Sequence, residues 1–495
     1  MRTQLARVVA GVAGALALAA CTATGPAETA RSANPHYPQQ ALGEMPNVLF
    51  IAIDDLRPDI GVYGNPVVNT PNIDAFAESA LLFENAFVSQ AVCGPSRAAL
   101  MTGLRPDTTG ITTLQQPVSE TVPDAVTMSQ TFLNAGYESI GIGKIYHHRD
   151  DDMEGWTDRP DDAIYEWRQS RRRAGIPNLS NERFSDIEEM PDTMNVRDAQ
   201  ERLQRLGGTD DPFFMMVGIH HPHLPFNSTD EEWEALEGAN VPAPINPDGQ
   251  AGAPPWALVS YEIWNYDDTP EGLPMPDAQR DELRRAYLAS VSYADRLVGE
   301  LLAELEASGR ADDTIVVIWS DHGFKIGDHA NYAKHSTADI DIRIPLLIRV
   351  PGMATAGERS DALVESVDLY PTLAELAGLS TPNNLEGLSF VPLLADPALD
   401  WKEAAFAQYG RYIRDSRSGN GRGTGYTVRT QRYRYTAWVM DDSGELVAQE
   451  LYDLDSDPDE STNVAGESAY ANDLAHLERL RTSGWQSVRA GVALP

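Results

Sequence analysis

The sequence predicts an α/β protein, in which a large mixed, mostly parallel sheet is sandwiched by helices and a smaller antiparallel sheet plus helix follows at the C-terminus. Three observations predict it. Apolar runs without alternation recur at Asn47–Ile53, Phe213–Gly218, Thr314–Ser320 and Pro345–Val350, the pattern of strands buried on both faces. Asp277–Ser308 carries Leu283, Tyr287, Ala294, Leu297, Leu301 and Leu305 at helical spacing, with Gly309 placed to end it; this is an amphipathic helix that packs on a sheet. After Pro392 short alternating segments appear, Tyr426–Thr430 and Tyr433–Val439, between Gly- and Asp-rich turns. They suggest a small antiparallel sheet closed by a helix over Asn472–Gly484.

The chain has 495 residues, enough for one large domain and a smaller one. We expect a signal peptide over 1–20, a tether over 21–45, a catalytic α/β domain over 46–390 and a C-terminal α+β subdomain over 391–495. Arg2 and Arg7 precede an apolar run too short to span a bilayer. That run ends Leu18-Ala19-Ala20-Cys21, which resembles a bacterial lipobox, so Cys21 is expected to carry the only membrane anchor, at the periplasm or cell surface. A Pro- and Ala-rich stretch follows as tether. With 38 basic against 74 acidic residues the net charge is −36, which excludes nucleic acid held by phosphate neutralisation. Two cysteines in unlike neighbourhoods exclude a disulfide framework. The stretches 150–210 and 228–276 show little periodicity and read as excursions around a cleft.

Chemistry concentrates at the strand ends. Asp54-Asp55 closes the first apolar run and Asp321-His322-Gly323 closes the run from Thr314. Carboxylates at the carboxyl ends of strands suit a metal or phosphate-like site, although an Asp-Asp turn capping the next element has the same appearance. Only four lysines occur; Lys144 and Lys334 both sit beside histidines, in Gly143-Lys144-Ile-Tyr-His147-His148 and Tyr332-Ala-Lys334-His335. Eight of ten histidines fall in three groups, 147/148, 220/221/223 and 322/329/335. Cys93 lies in Cys93-Gly-Pro95-Ser-Arg97, where a helix starting at Pro95 and Arg97 would favour a thiolate nucleophile; a small buried residue at a helix start is the alternative.

Cys-x-Pro-Ser-Arg-x-x-x-x-Thr-Gly, over 93–103, resembles the type I sulfatase signature. The resemblance runs from Pro46 to Val464. Arg105-Pro-Asp-Thr-Thr109, Gly218-Ile-His-His-Pro-His-Leu-Pro-Phe226, Tyr287–Tyr293 and Tyr426–Thr430 are similar to iduronate-2-sulfatases. The resemblance implies an alkaline-phosphatase-like fold and hydrolysis of glycan sulfate esters, such as a uronate 2-O-sulfate. It implies that a formylglycine-generating enzyme oxidises Cys93 to formylglycine (3-oxoalanine), whose hydrated diol attacks sulfur beside one divalent cation, Ca²⁺. The implied metal ligands are Asp54, Asp55, Cys93, Asp321 and His322. By the same resemblance Arg97 and Lys144 offset charge, Lys334 binds the sulfate, His223 protonates the departing sugar oxygen, and His147 takes the proton that regenerates the aldehyde.

Two positions depart from the pattern. Leu104 stands where arginine commonly follows Thr-Gly, with Arg105 next, and Phe324 stands where iduronate-2-sulfatases often carry tryptophan. Two other readings share these residues: a phosphonate or phosphate-ester hydrolase with the same modified cysteine, and a non-catalytic lipoprotein that binds sulfated glycan through an unmodified one.

Overall fold

In the computed structural model, which describes residues 45–259, 261–270, 272, 274–415 and 419–490, the predicted runs become the centre of a seven-stranded sheet. Its strands are β1 (Asn47–Ile53), β2 (Leu81–Phe87), β3 (Glu138–Gly143), β5 (Phe213–Ile219), β7 (Thr314–Ser320), β8 (Arg343–Arg349) and β9 (Arg359–Glu365). A two-residue parallel pair, β4 (Arg183–Phe184) with β6 (Ser228–Thr229), lies apart. The spatial order of the main sheet is β3-β5-β1-β7-β8-β2-β9, and β8 alone runs against its neighbours. The sheet is therefore mixed and mostly parallel, as expected.

The alternation that is invisible in β1 as a string of letters is visible in its packing. Val48, Phe50 and Ala52 join one core, while Leu49, Ile51 and Ile53 join the other, because successive side chains of a strand point to opposite faces. Both faces are covered, so every position from Val48 to Ile53 is apolar. The helix Asp277–Ala307 covers the second face with the six apolar residues its spacing predicts, all buried. Each large side chain so buried contributes about 1.5–3 kcal/mol. Helices 93–102, 128–134 and 369–376 cover the first face.

The C-terminal sheet is a meander of β10 (Ala405–Asp415), β11 (Gly419–Arg429), β12 (Tyr433–Met440) and β13 (Leu446–Asp453), antiparallel throughout and covered by the helix Ala471–Ser483. A buried ionic chain ties it to the main sheet. Arg105 grips Glu365 with two bonds of 2.7 and 2.9 Å, Lys402 bridges Glu365 and Asp368 at 2.7 and 2.6 Å, and Glu365 also accepts from the Phe406 amide.

One expectation fails. The stretch 150–210 is not irregular: it holds helices Ala163–Arg173 and Pro191–Leu206. Val196, Ala199, Leu203 and Leu206 do form a buried stripe at helical spacing, but charged residues dominate the remaining positions and mask it in the sequence. The signal segment, Cys21 and all of the tether but residue 45 lie outside the described residues. No helix among the described residues is long and apolar enough to cross a membrane.

Candidate active site

Four adjacent parallel strands deliver the site. In the order β3, β5, β1, β7 their carboxyl ends present Lys144, then His220 to His223, then Asp54 and Asp55, then Asp321 and His322, so residues far apart in the chain share one edge. The close approach of β3 and β5 there requires glycine twice. A Cβ on Gly143 would stand 2.2 Å from the Gly218 carbonyl oxygen, and one on Gly218 would stand 2.1 Å from that of Lys144. Cys93 arrives from the loop after β2 as the first residue of helix 93–102, two residues earlier than Pro95.

Asp54, Asp55, Cys93 and His322 offer one donor atom each within 4.8 Å of one another, all buried. Asp54 Oδ1 has no hydrogen-bond partner. Asp55 takes the left-handed conformation at φ 60°, its amide donating 3.1 Å to Asp321 Oδ1 and its carbonyl accepting 2.9 Å from Tyr287. The other Asp321 oxygen accepts 2.8 Å from Arg97 Nε, and Arg97 Nη1 is held by the carbonyls of Lys144 and Ile145. Burial raises the Asp54 pKa, but Lys144, whose ammonium is bonded to it, outweighs that together with His223 and Arg97, and the group lies well below the carboxylate range. Burial, with Asp54 alongside, pushes Asp55 well above it despite Lys334. These paired hard oxygens, one of them unsatisfied, fit a divalent cation.

The thiol of Cys93 lies 3.3 Å from His322 Nε2 and 3.6 Å from Lys144 Nζ. Burial and the Asp54 carboxylate push it up to about 12. That burial works against the bare thiolate nucleophile, one of the two sequence readings.

Lys334 comes from a strained loop: His329, Ala330, Ala333 and His335 all have positive φ, a conformation costly for residues other than glycine and held only by its surroundings. Its ammonium lies 3.0 and 3.1 Å from the two Asp55 oxygens and 3.0 Å from Glu262. Glu262 escaped the sequence reading, being one acid in an aperiodic stretch. It also lies 3.3 Å from His223 Nε2, while His223 Nδ1 donates 2.6 Å to the Leu224 carbonyl. Burial, then Lys334 and Lys144, push His223 down to about 4, and Glu262 opposes them. His147 faces solvent in the cavity wall, and partial enclosure followed by Lys144 lowers its pKa, leaving it neutral at pH 7.

A cavity of about 520 Å³ opens over Cys93 and is walled by Lys144, His147, His223 and Lys334. Both excursions contribute to it, the first through Arg159 and Arg168, the second through Tyr261 and Glu262. Of the third histidine group, His322 and His335 stay with the site, whereas His329 lies against Ile245 and Asn246.

A sulfatase family model matches residues 46–379, and the model for the C-terminal part of N-sulphoglucosamine sulphohydrolase matches 327–483. Human iduronate 2-sulfatase is 32% identical, with 85% of this chain and 91% of that protein aligned. The chain belongs to the sulfatase family. It is a sulfuric ester hydrolase, similar also to a sulfatase of Formosa agariphila at 30% identity over 88% of this chain and 86% of that one. Among solved structures, a protein in complex with its substrate D-glucosamine-2-N,6-O-disulfate superposes with TM-score 0.70 at 23% identity, covering 90% of this chain and 98% of that one. The phosphonate monoester hydrolase of Silicibacter pomeroyi gives 0.75 at 23%, covering 90% and 96%. Both show the shared fold.

The two departures from the sulfatase pattern have structural accounts. Arg105 ties the C-terminal end of helix 93–102 to Glu365 and lies over the rings of Phe406 and Trp485, while Leu104 is buried beside it. Phe324 is buried against Tyr287 and Phe226, with Lys334 Nζ 5.5 Å above its ring, and does not wall the cavity.

Proposed function

We propose that this sulfatase removes the 2-O-sulfate of a uronate in a sulfated glycan. The observation that carries this is the cavity's charge. In a chain with 74 acidic residues against 38 basic ones, the cavity lining holds Lys144, Arg149, Arg159, Arg168 and Lys334 beside Asp162 and Glu262, and Arg159 and Arg168 have no carboxylate within ion-pair distance among the described residues, which suits a substrate with more than one anionic group. The likeness to iduronate 2-sulfatases supports the sugar and the position.

Formylglycine at position 93, made from Cys93 by a formylglycine-generating enzyme, supplies a geminal diol whose oxygen is nucleophilic toward sulfur. Asp54, Asp55, Asp321 and His322, with residue 93, are the ligands we assign to Ca²⁺, which supplies positive charge for that oxygen and the sulfate. Arg97, locked by Asp321 and the Lys144 and Ile145 carbonyls, keeps a fixed positive field behind residue 93. Lys144 brings its ammonium to Asp54 and Lys334 brings its own to Asp55, the two adjacent carboxylates of the site. His223 holds its Nδ1 proton on the Leu224 carbonyl and its Nε2 toward Glu262. In the neutral ring that leaves Nε2 bare, so His223 would serve as the acid toward the departing sugar oxygen only once Nε2 is protonated, a form that Glu262 and the substrate's anionic groups favour. Neutral His147 accepts the proton released at residue 93.

Cys21 acylation would hold the enzyme on the periplasmic or cell-surface side of a membrane through the tether 21–45, with the catalytic domain 46–390 and the subdomain 391–495 beyond it. The experiment is free sulfate released from an unsaturated 2-O-sulfated uronate disaccharide by Cys93-matured enzyme, with Cys93→Ala as blank. Release absent from the blank supports the reading. Equal rates on matched phosphate and sulfate esters, or release by the blank, overturn it.

A further inference from the structure

Two cations of the cavity, Arg159 and Arg168, have no carboxylate within ion-pair distance among the described residues, and of the two only Arg168 has a terminal nitrogen that donates to nothing. Arg168, on helix Ala163–Arg173, makes two hydrogen bonds, to His220 Nε2 at 2.8 Å and to the Leu224 carbonyl at 3.4 Å, and both acceptors are neutral. Both bonds use the same terminal nitrogen, Nη2. Among the described residues no carboxylate lies within ion-pair distance, and the Nη1–Nε edge of the guanidinium donates to nothing. Lys144 is paired with Asp54, Lys334 with Asp55 and Glu262, and Arg149 lies near Asp150 and Asp161, whereas Arg159, without a carboxylate, has both terminal nitrogens taken by the carbonyls of Gly141 and Gly143. A half-buried guanidinium left unpaired in so acidic a chain is costly unless an anion arrives with the substrate.

Its distance from the chemistry is informative. His220, which receives the Arg168 bond, has its other ring nitrogen 4.0 Å from Asp54, and its ring centre lies 4.8 Å from that of His223. Arg168 is thus separated by one imidazole from the Asp54 carboxylate, in the wall of the cavity that opens over residue 93. In a uronate, C2 and C5 lie across the pyranose ring from each other. A 2-O-sulfate over residue 93 therefore places the C5 carboxylate one ring width away.

We infer that Arg168 binds the uronate carboxylate, its free Nη1–Nε edge meeting the two oxygens in the planar paired geometry that guanidinium and carboxylate favour. The inference rests on the uronate 2-O-sulfate reading above. Arg168 does not touch the reacting atoms; it selects and orients the sugar.

The test measures kcat/KM for sulfate release from the unsaturated 2-O-sulfated uronate disaccharide and from its uronate methyl ester, in the wild type, Arg168→Gln and Arg168→Lys. The wild type is expected to prefer the free acid by about 100-fold, the loss that follows removal of a charge-assisted contact. Arg168→Gln is expected to reduce that preference below about fivefold, and Arg168→Lys to restore part of it. Because the ratio is taken within one protein, impaired folding or maturation of a variant cancels. A wild type that cleaves acid and ester alike, or an Arg168→Gln enzyme that keeps the full preference, overturns the inference and leaves the uronate reading standing. Release from neither sugar, with 4-nitrophenyl sulfate still hydrolysed, overturns the uronate reading and this inference with it.

Discussion

Glu262→Gln removes one negative charge and changes almost no volume, at a carboxylate that touches two proposed working groups. Its oxygens lie 3.3 Å from His223 Nε2 and 3.0 Å from Lys334 Nζ. Unit charges about 3 Å apart at an effective dielectric of about 20 interact by about 5 kcal/mol before desolvation is deducted, and the net worth of one charge-assisted bond is about 1.5–3 kcal/mol. If His223 protonates the leaving oxygen, that energy is lost from its protonated form, and a reaction that needs the proton slows by about 10- to 150-fold. The weakened hold on Lys334 is common to every substrate, so a difference between substrates isolates the proton. We expect kcat/KM on 4-nitrophenyl sulfate, whose phenolate departs without protonation, to fall by less than about fivefold, and that on the uronate 2-O-sulfate to fall at least tenfold further. Equal losses on the two substrates would refute the assignment of His223 and Glu262 as an acid pair.

The remaining predictions concern the ion and the fold. Dialysis against a chelator should abolish turnover and lower stability, and Ca²⁺ at 100 times its Kd should restore about 2.7 kcal/mol; a melting curve unmoved by chelator or ion would count against the assigned ligands. Glu365 is held down to about 2, where burial is outweighed by Arg105 and Lys402. A carboxylate with depressed folded-state pKa contributes stability above its unfolded value of about 4.5 and loses it as pH falls toward 2. The wild type should therefore lose about 2 kcal/mol more than Glu365→Gln between pH 6 and pH 3 in urea titrations, and parallel losses would show that this pair does not govern acid sensitivity.

The legible part of this protein was the part fixed by local pattern. Strands buried on both faces write continuous apolar runs, and β1, β5 and β7 were found that way. The strand-end acids and histidines followed because parallel neighbours must end on one edge. What stayed hidden was carried by contact at long range. β3 lacks an apolar run because Gly143 meets the Gly218 carbonyl of β5 and Gly141 packs against the side chains of Trp156 and Arg159. Helix 191–206 was masked by its charged outer face. Glu262 and Arg168 are ordinary surface letters in aperiodic stretches, and only the folding of both excursions over the same edge gives them partners. The cysteine signature was legible as a resemblance, while its local context left a thiolate nucleophile and a small buried residue at a helix start both open, and Cys93 is buried at the start of helix 93–102.

The burial of Cys93 also sets a clock. Its side chain is 2% exposed and lies at the floor of the cavity, capped by Lys144 and by His322, which follows it by 229 residues. In an exported chain that histidine closes over residue 93 only when the domain folds after translocation. Until then the walls that close over residue 93 do not exist, and an enzyme that must grip the surrounding peptide has free access to it; once β7 docks beside β1, that access ends. If residue 93 is oxidised as proposed, the fraction of molecules able to turn over is decided by a race between that oxidation and folding, and a chain that folds first keeps its thiol at a silent centre.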